Sequence, residues 1–200
     1  YSAMMLASFL LYGYILLSII KKKFTTKIVW TLIIATTACL LFAFPALSYD
    51  IFNYIATAKM TFIYKENPYI IMPIEMRNEQ LLAFMHAANK TALYGPVWIG
   101  LTAIPLTVGL GNLLLTIFSF KVFVAIFYLG LCLLIWKMSS KNLFALAFFA
   151  LNPLVISETL LTGHNDVVMM FFALAAFFFL RKKKKVISVA LLFLSIGIKY

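Results

Sequence analysis

The chain has 200 residues, of which 64% are hydrophobic and only 12% charged, and its formal net charge is +11. Soluble domains carry about 25% charged residues, so an ordinary soluble domain is excluded. Several apolar runs approach the ~20 residues needed to cross a bilayer, which points to an all-α, polytopic transmembrane helical bundle. A β-barrel would instead show alternating segments of about ten residues, and no nucleic-acid partner is implied, because the basic residues flank the apolar runs.

In chain order, the first run, about 2–20, ends at Lys21, Lys22 and Lys23. The second, about 28–47, follows Lys27 and runs into SYDIFNY, which sets Asp50 at a helix mouth. Residues 55–94 are too polar to span as a whole; within them EQLLAFMHAANK reads as a short surface helix. Lys59, Lys65, Arg77 and Lys90 balance the four acids Asp50, Glu66, Glu75 and Glu79. Between 95 and 136 two apolar pieces, about 96–110 and 113–136, are separated by GLGN. Pro96, Pro105 and Gly109 interrupt the first, so it reads as a re-entrant or interfacial piece rather than a crossing. Runs of about 142–157, 166–180 and 186–200 complete the chain. Cys39 and Cys132 fall inside spans and read as packing residues with no disulfide framework.

The six acids lie in two stretches, 48–94 and 158–166, whereas the basic clusters are Lys21–Lys27, Lys137 with Lys141, and Arg181–Lys185. The positive-inside rule assigns the three clusters to the cytoplasmic face. Both acidic stretches then fall in external loops, about 48–94 and 157–166, and Lys199 comes to the outer end of the last helix. RKKKK at 181–185 reads as a topology anchor drawn to anionic lipid headgroups. The sequence opens at Tyr1 without an initiator Met and stops at Tyr200 at a helix end. Residues 1–200 are therefore read as part of one transmembrane domain of a longer chain, truncated at both ends, and no cleavable signal peptide can be identified in them. No internal repeat stands out.

Four constellations carry the chemistry-bearing side chains. In SYDIFNY, Asp50 is flanked by Tyr49, Phe52, Asn53 and Tyr54; it is either a solvated helix-end charge or a functional acid. In LNPLVISETLLTGHNDVVMMFF, Asn152–Pro153 breaks a helix, Glu158 follows, and Gly163, His164, Asn165 and Asp166 form a polar turn before a new apolar run. Asn165 or Asp166 is a candidate helix cap, yet the turn also joins a base, an amide and an acid. His164 with Asp166 makes a weak divalent-ion signal. In KTALYGPVW, Tyr94 and Trp98 suit an interfacial aromatic belt. Lys199 either snorkels to the interface or meets a phosphate at headgroup depth.

The order SYDIFNYI, ENPYIIMP, YGPVW, LNPLVISETLLTGHNDVVMM and a lysine at an outer helix end resembles the GT-C superfamily of integral-membrane glycosyltransferases. It looks closest to the bacterial polyprenyl-phosphate-mannose-dependent mannosyltransferases, over about Ser48 to Tyr200. The resemblance implies a bacterial plasma-membrane enzyme with an external active site. It implies Asp50 as general base, and His164, Asn165 and Asp166, with Glu158, as supports of the donor phosphate or acceptor. Lys199 would contact a phosphate, and Tyr49, Asn53 and Tyr94 would line the substrate site. Its partners would be a polyprenyl-phosphate sugar donor, a glycan or glycolipid acceptor, and membrane lipids. Relatives that bind metal carry paired acids in the first external loop; SYDIFNY has one, which favours metal independence and no cofactor.

The residues fit that chemistry on their own terms. A lipid-phosphate sugar brings its own leaving group, so the enzyme must deprotonate an acceptor hydroxyl and stabilise charge on the departing phosphate. A single displacement inverts the anomeric centre. Two alternatives stand beside this reading. A secondary transporter would place acids or polar breaks near mid-membrane, whereas Lys121 is the only charge deep within a run. A non-catalytic membrane subunit would use Asp50 and GHND for capping and solvation alone.

Overall fold

The computed structural model describes residues 2–45, 47–76, 80–85 and 87–200. Arg77, Glu79 and His86, named above, lie outside the described residues. Nine α-helices follow in order among the described residues: α1 Ser2–Ile20, α2 Thr26–Leu41, α3 Asp50–Phe62, α4 Pro96–Val108, α5 Leu113–Met138, α6 Leu143–Ala150, α7 Pro153–Ile156, α8 Asp166–Arg181 and α9 Lys185–Lys199. A π-helical turn, Ser157–Leu161, extends α7. The described fold contains no strand. Helices α1 and α5 are each long and apolar enough to cross a bilayer, and α6 with the α7–π segment, bent by 51°, makes a third candidate span.

Local signals set the helix ends. Thr25, Asn112, Asn142 and Asn152 each accept an N–H of the first turn of α2, α5, α6 and α7, a polar cap that satisfies an otherwise unpaired donor. Pro96 and Pro153 occupy first-turn positions, where the missing N–H costs nothing. The bend between α6 and α7 falls at Asn152–Pro153, as the sequence indicates. Helix α2 is shorter than the expected 28–47 run and stops at Leu41, because Pro45 disfavours helical continuation through the residues before it.

The described segment 48–76 carries a helix that polarity concealed. Asn53, Thr57, Lys59 and Thr61 interrupt the hydropathy of α3, yet most of its residues are buried against α4 and α5. The expected surface helix over EQLLAFMHAANK is reduced to a five-residue 3-10 turn, Gln80–Phe84. The reason lies downstream: the Ile74 N–H donates to Ala88 O at 2.9 Å, which ties residues 87–90 back into the loop.

Within the stretch 95–136, α5 alone is long and apolar enough to cross a bilayer. Helix α4 has 13 residues, about 20 Å at 1.5 Å per residue, short of a ~30 Å hydrocarbon core. It runs antiparallel to the first half of α5, with Trp98 beside Phe123 (6.3 Å between ring centroids) and the Gly109 turn against Thr116. Helix α5 alone then carries the chain to the basic end. At that end Trp30 meets Trp136 edge-on at 6.4 Å, and Lys137 shares a cleft with Arg181 and Lys182. Asp50, Glu158, Asp166 and Lys199 converge at the other.

Tyr54, Trp98, Phe120 and Tyr128 form the aromatic centre of the core, each at most 1% exposed. Trp98 and Tyr94 are therefore packed inside, not displayed in an interfacial belt; Tyr54 covers both rings at 4.8–4.9 Å. Cys132 is buried as expected, but Cys39 is exposed on α2. Lys121 is 3% exposed. Its ammonium donates to Leu40 O at 2.5 Å and to Ala43 O, two carbonyls at the end of α2.

Candidate active site

Asp50 is the first residue of α3, where the helix dipole favours a carboxylate. Its side chain is 44% exposed, so it remains accessible from solvent. The preceding Ser48 orders the entry: its hydroxyl accepts the Asp50 N–H at 3.2 Å and meets His164 Nε2 at 2.8 Å. His164 Nε2 also lies 3.5 Å from Asp50 Oδ2, and its Nδ1 lies 2.8 Å from Glu158 Oε2. One tautomer satisfies the Glu158 and Ser48 contacts. Nδ1–H donates to Glu158, and Nε2 accepts the Ser48 hydroxyl; protonation of Nε2 would redirect it to Asp50.

The GHND turn is built to deliver that ring. The π-helical turn widens the helix at Ser157–Leu161 and puts Glu158 under the loop, a distortion that recurs at functional sites. Gly163 takes a left-handed φ of +79°, and the His164 N–H closes back on Glu158 O at 3.0 Å. Glu158 therefore holds His164 through both backbone and side chain.

Asn165 is fully buried, and its N–H donates to the Tyr54 hydroxyl at 3.2 Å. This bond joins α3, which carries Asp50, to the turn that carries His164. The Asn165 side chain does not cap α8, contrary to the capping expectation. Its Oδ1 and Nδ2 have no partner among the described residues, and neither has Asn53 Oδ1. Most buried polar groups in proteins are paired, so unpaired amides beneath the site mark it as chemically unusual. Asn53 lies under the site and hydrogen bonds Tyr94, while burial and, next, the nearby Asp50 carboxylate raise the Tyr94 phenol above its ordinary value. Tyr94 is thus a neutral hydrogen-bond donor near pH 7. Tyr49 is on the rim, 39% exposed, and packs on Phe52.

Lys199, the last residue of α9, pairs with both oxygens of Asp166, the first residue of α8, at 3.2 and 3.3 Å. Its placement depends on a close backbone crossing. Gly95 N–H donates to Ile198 O at 3.0 Å, and a Cβ on Gly95 would lie 2.4 Å from Gly197 O. Only glycine fits there. The His164 imidazole faces Glu158 and Ser48, and the Asp166 carboxylate faces Lys199.

An apolar groove of about 550 Å³ runs along α1, α2 and the α7–π segment, with Tyr12, Leu40 and Pro153 in its walls. It reaches Leu47 and Ser157, the neighbours of Ser48 and Glu158. Sequence reasoning selected Asp50, Glu158, His164, Asp166 and Lys199, which do meet at one end of the bundle. It missed Ser48, whose place two residues before Asp50 was the available signal, and the bridging role of Tyr54, which only the tertiary structure reveals.

No curated protein and no solved structure matches the chain. One family model does, described as alpha-(1->6)-mannopyranosyltransferase, N-terminal domain, and it covers residues 2–200. The chain belongs to this mannosyltransferase family.

Proposed function

We propose that this membrane glycosyltransferase moves a mannosyl group from a polyprenyl-phosphate donor to an acceptor hydroxyl on the external face, in a GT-C-type fold. Asp50 is the general base: its exposed carboxylate takes the acceptor proton as the hydroxyl oxygen attacks the anomeric carbon. The bond to the donor phosphate breaks in the same displacement. Lys199, released from Asp166 by the more highly charged phosphate, and His164 in its protonated form offset the charge on the leaving group. Glu158 orients His164, while Tyr49, Asn53, Tyr94 and Asn165 shape the sugar and acceptor side. No metal enters this reading; the cationic roles fall to Lys199 and His164.

The observation that carries the proposal is the position of Asp50. An accessible carboxylate stands beside a histidine, and a long apolar groove reaches Leu47, next to Ser48; Glu158, the histidine's other partner, lines one depression with Asp166, the partner of Lys199. A prenyl chain needs such a groove, and its phosphate would emerge beside Ser48 and Glu158. The external assignment is supported by the opposite, basic end of the bundle. If the family's α-(1->6) linkage is formed here, inversion requires a β-linked donor. The test is transfer by the full-length protein in lipid nanodiscs from labelled polyprenyl-phosphate-mannose and, separately, from a nucleotide-mannose. Transfer from the lipid donor alone is expected. Transfer from the nucleotide donor alone would overturn the reading.

A further inference from the structure

The face opposite Asp50 carries a feature that sugar transfer does not use. Lys59, Lys65, Arg77, Lys90, Lys121 and Lys199 offset the six acids, so the whole net charge of +11 resides in Lys21–Lys23, Lys27, Lys137, Lys141 and Arg181–Lys185. Three of these line one cleft. Lys137 and Met138 from the end of α5, Ser140 from the following turn, and Phe178, Arg181 and Lys182 from the end of α8 enclose about 270 Å³.

Cations at helix C-termini ordinarily complement the exposed carbonyls. Here the carbonyls of Trp136, Phe179 and Leu180 have backbone partners already. Lys141 N–H donates to Trp136 O at 2.9 Å, Lys183 N–H to Leu180 O at 2.9 Å and Lys184 N–H to Phe179 O at 3.0 Å. Lys141 and Lys183 adopt left-handed φ values of 62° and 61° to do so, a conformation for which glycine is the usual choice. The Lys137, Arg181 and Lys182 side chains have no carboxylate partner among the described residues; Lys182 Nζ rests 4.4 Å from the Phe178 ring centroid. Three cations from two helices thus face one cleft without an anion to neutralise them. Leu133, Phe177 and Leu180, just inside this end of the same helices, are exposed apolar side chains.

We propose that this cleft is a specific site for the phosphate of an anionic lipid headgroup. Arg181 supplies the planar fork suited to phosphate oxygens, Lys137 and Lys182 supply point charges, and Ser140 supplies a neutral donor. The acyl chains continue along Leu133, Phe177 and Leu180. A free phosphate would satisfy the cations but leave those apolar surfaces without purpose, which favours the lipid.

The test is lipid binding to the full-length protein in neutral detergent, followed by native mass spectrometry with phosphatidylglycerol, phosphatidylcholine and inorganic phosphate. Phosphatidylglycerol should bind about tenfold or more tightly than phosphatidylcholine. Inorganic phosphate at millimolar concentration should not displace it. The combined variant Lys137→Gln, Arg181→Gln, Lys182→Gln should lose the preference. Lys21→Gln, Lys22→Gln, Lys23→Gln, with the same charge removed from the same face, should keep it. Equal binding of the two lipids, or equal loss in both variants, would reduce the cleft to diffuse surface charge and overturn the site. Displacement by inorganic phosphate would overturn the lipid assignment. Melting profiles of both variants separate loss of binding from loss of fold.

Discussion

Lys121→Met offers a sharp test of how the Asp50 segment is held. Lys121 is buried on α5, and its ammonium reaches two carbonyls at the end of α2, where the chain leaves for Asp50. A hydrogen bond from a charged donor contributes about 1.5–3 kcal/mol, and two are lost. Methionine approximates the lysine stem in volume, so cavity terms are small. Relief of the buried ammonium's desolvation returns part of the loss, leaving a net destabilisation on the order of 2–4 kcal/mol. In a chain of this size 1 kcal/mol moves Tm by about 2–4 °C, so the midpoint should fall by roughly 5–15 °C. Tryptophan-monitored thermal unfolding of wild type, Lys121→Met and Lys121→Gln in one detergent measures it. The glutamine variant, which retains an amide donor, should fall between the other two. A methionine variant as stable as wild type would show that the two bonds only repay the desolvation of the charge.

Three other perturbations probe the site itself. Tyr54→Phe removes the hydroxyl that accepts the buried Asn165 N–H; sugar transfer should drop in kcat by about tenfold, equivalent to about 1.4 kcal/mol, with a smaller change in KM, and the orphaned donor, costing about 1–3 kcal/mol, should lower Tm by a few degrees. Gly95→Ala drives a methyl into Gly197 O and the Tyr200 backbone, so it should displace the end of α9 and raise the donor KM through Lys199, read from donor saturation curves. Glu158→Gln keeps the shape near His164 but removes its anionic partner; kcat should fall by about tenfold, equivalent to about 1.4 kcal/mol, read from transfer at saturating donor. Unchanged kinetics in any of the three would remove the corresponding contact from the proposed mechanism.

The sequence disclosed these features unequally, and for physical reasons. Charge segregation identified the two ends of the bundle, because a charged side chain cannot remain unpartnered within hydrocarbon. It also identified Asp50, Glu158, His164, Asp166 and Lys199 as candidates, since acids are scarce and their positions stand out. What it could not disclose were relations across space. Tyr54 and Asn165 are 111 positions apart, yet share a hydrogen bond. Gly95 and Gly197 touch through backbone atoms alone, and nothing local marks either as half of a pair. Helix α3 escaped notice because its polar positions, Asn53 and Thr57, are buried against protein instead of being exposed to water or lipid. Trp98 misled for the complementary reason: an aromatic near a helix start suits an interface, but here α3 covers it with Tyr54.

The central claim is that Asp50 removes the acceptor proton, and Asp50→Asn addresses it most directly. The amide is nearly isosteric with the carboxylate and retains a first-turn side chain on α3, but it cannot act as a base. Full-length wild type and variant, matched for folded yield, would be compared for mannosyl transfer from labelled polyprenyl-phosphate-mannose at saturating donor. Loss of a general base costs about 10²–10⁴-fold, so the account predicts kcat lower by at least about a hundredfold with donor binding little changed. Transfer by Asp50→Asn within a few-fold of wild type would contradict it.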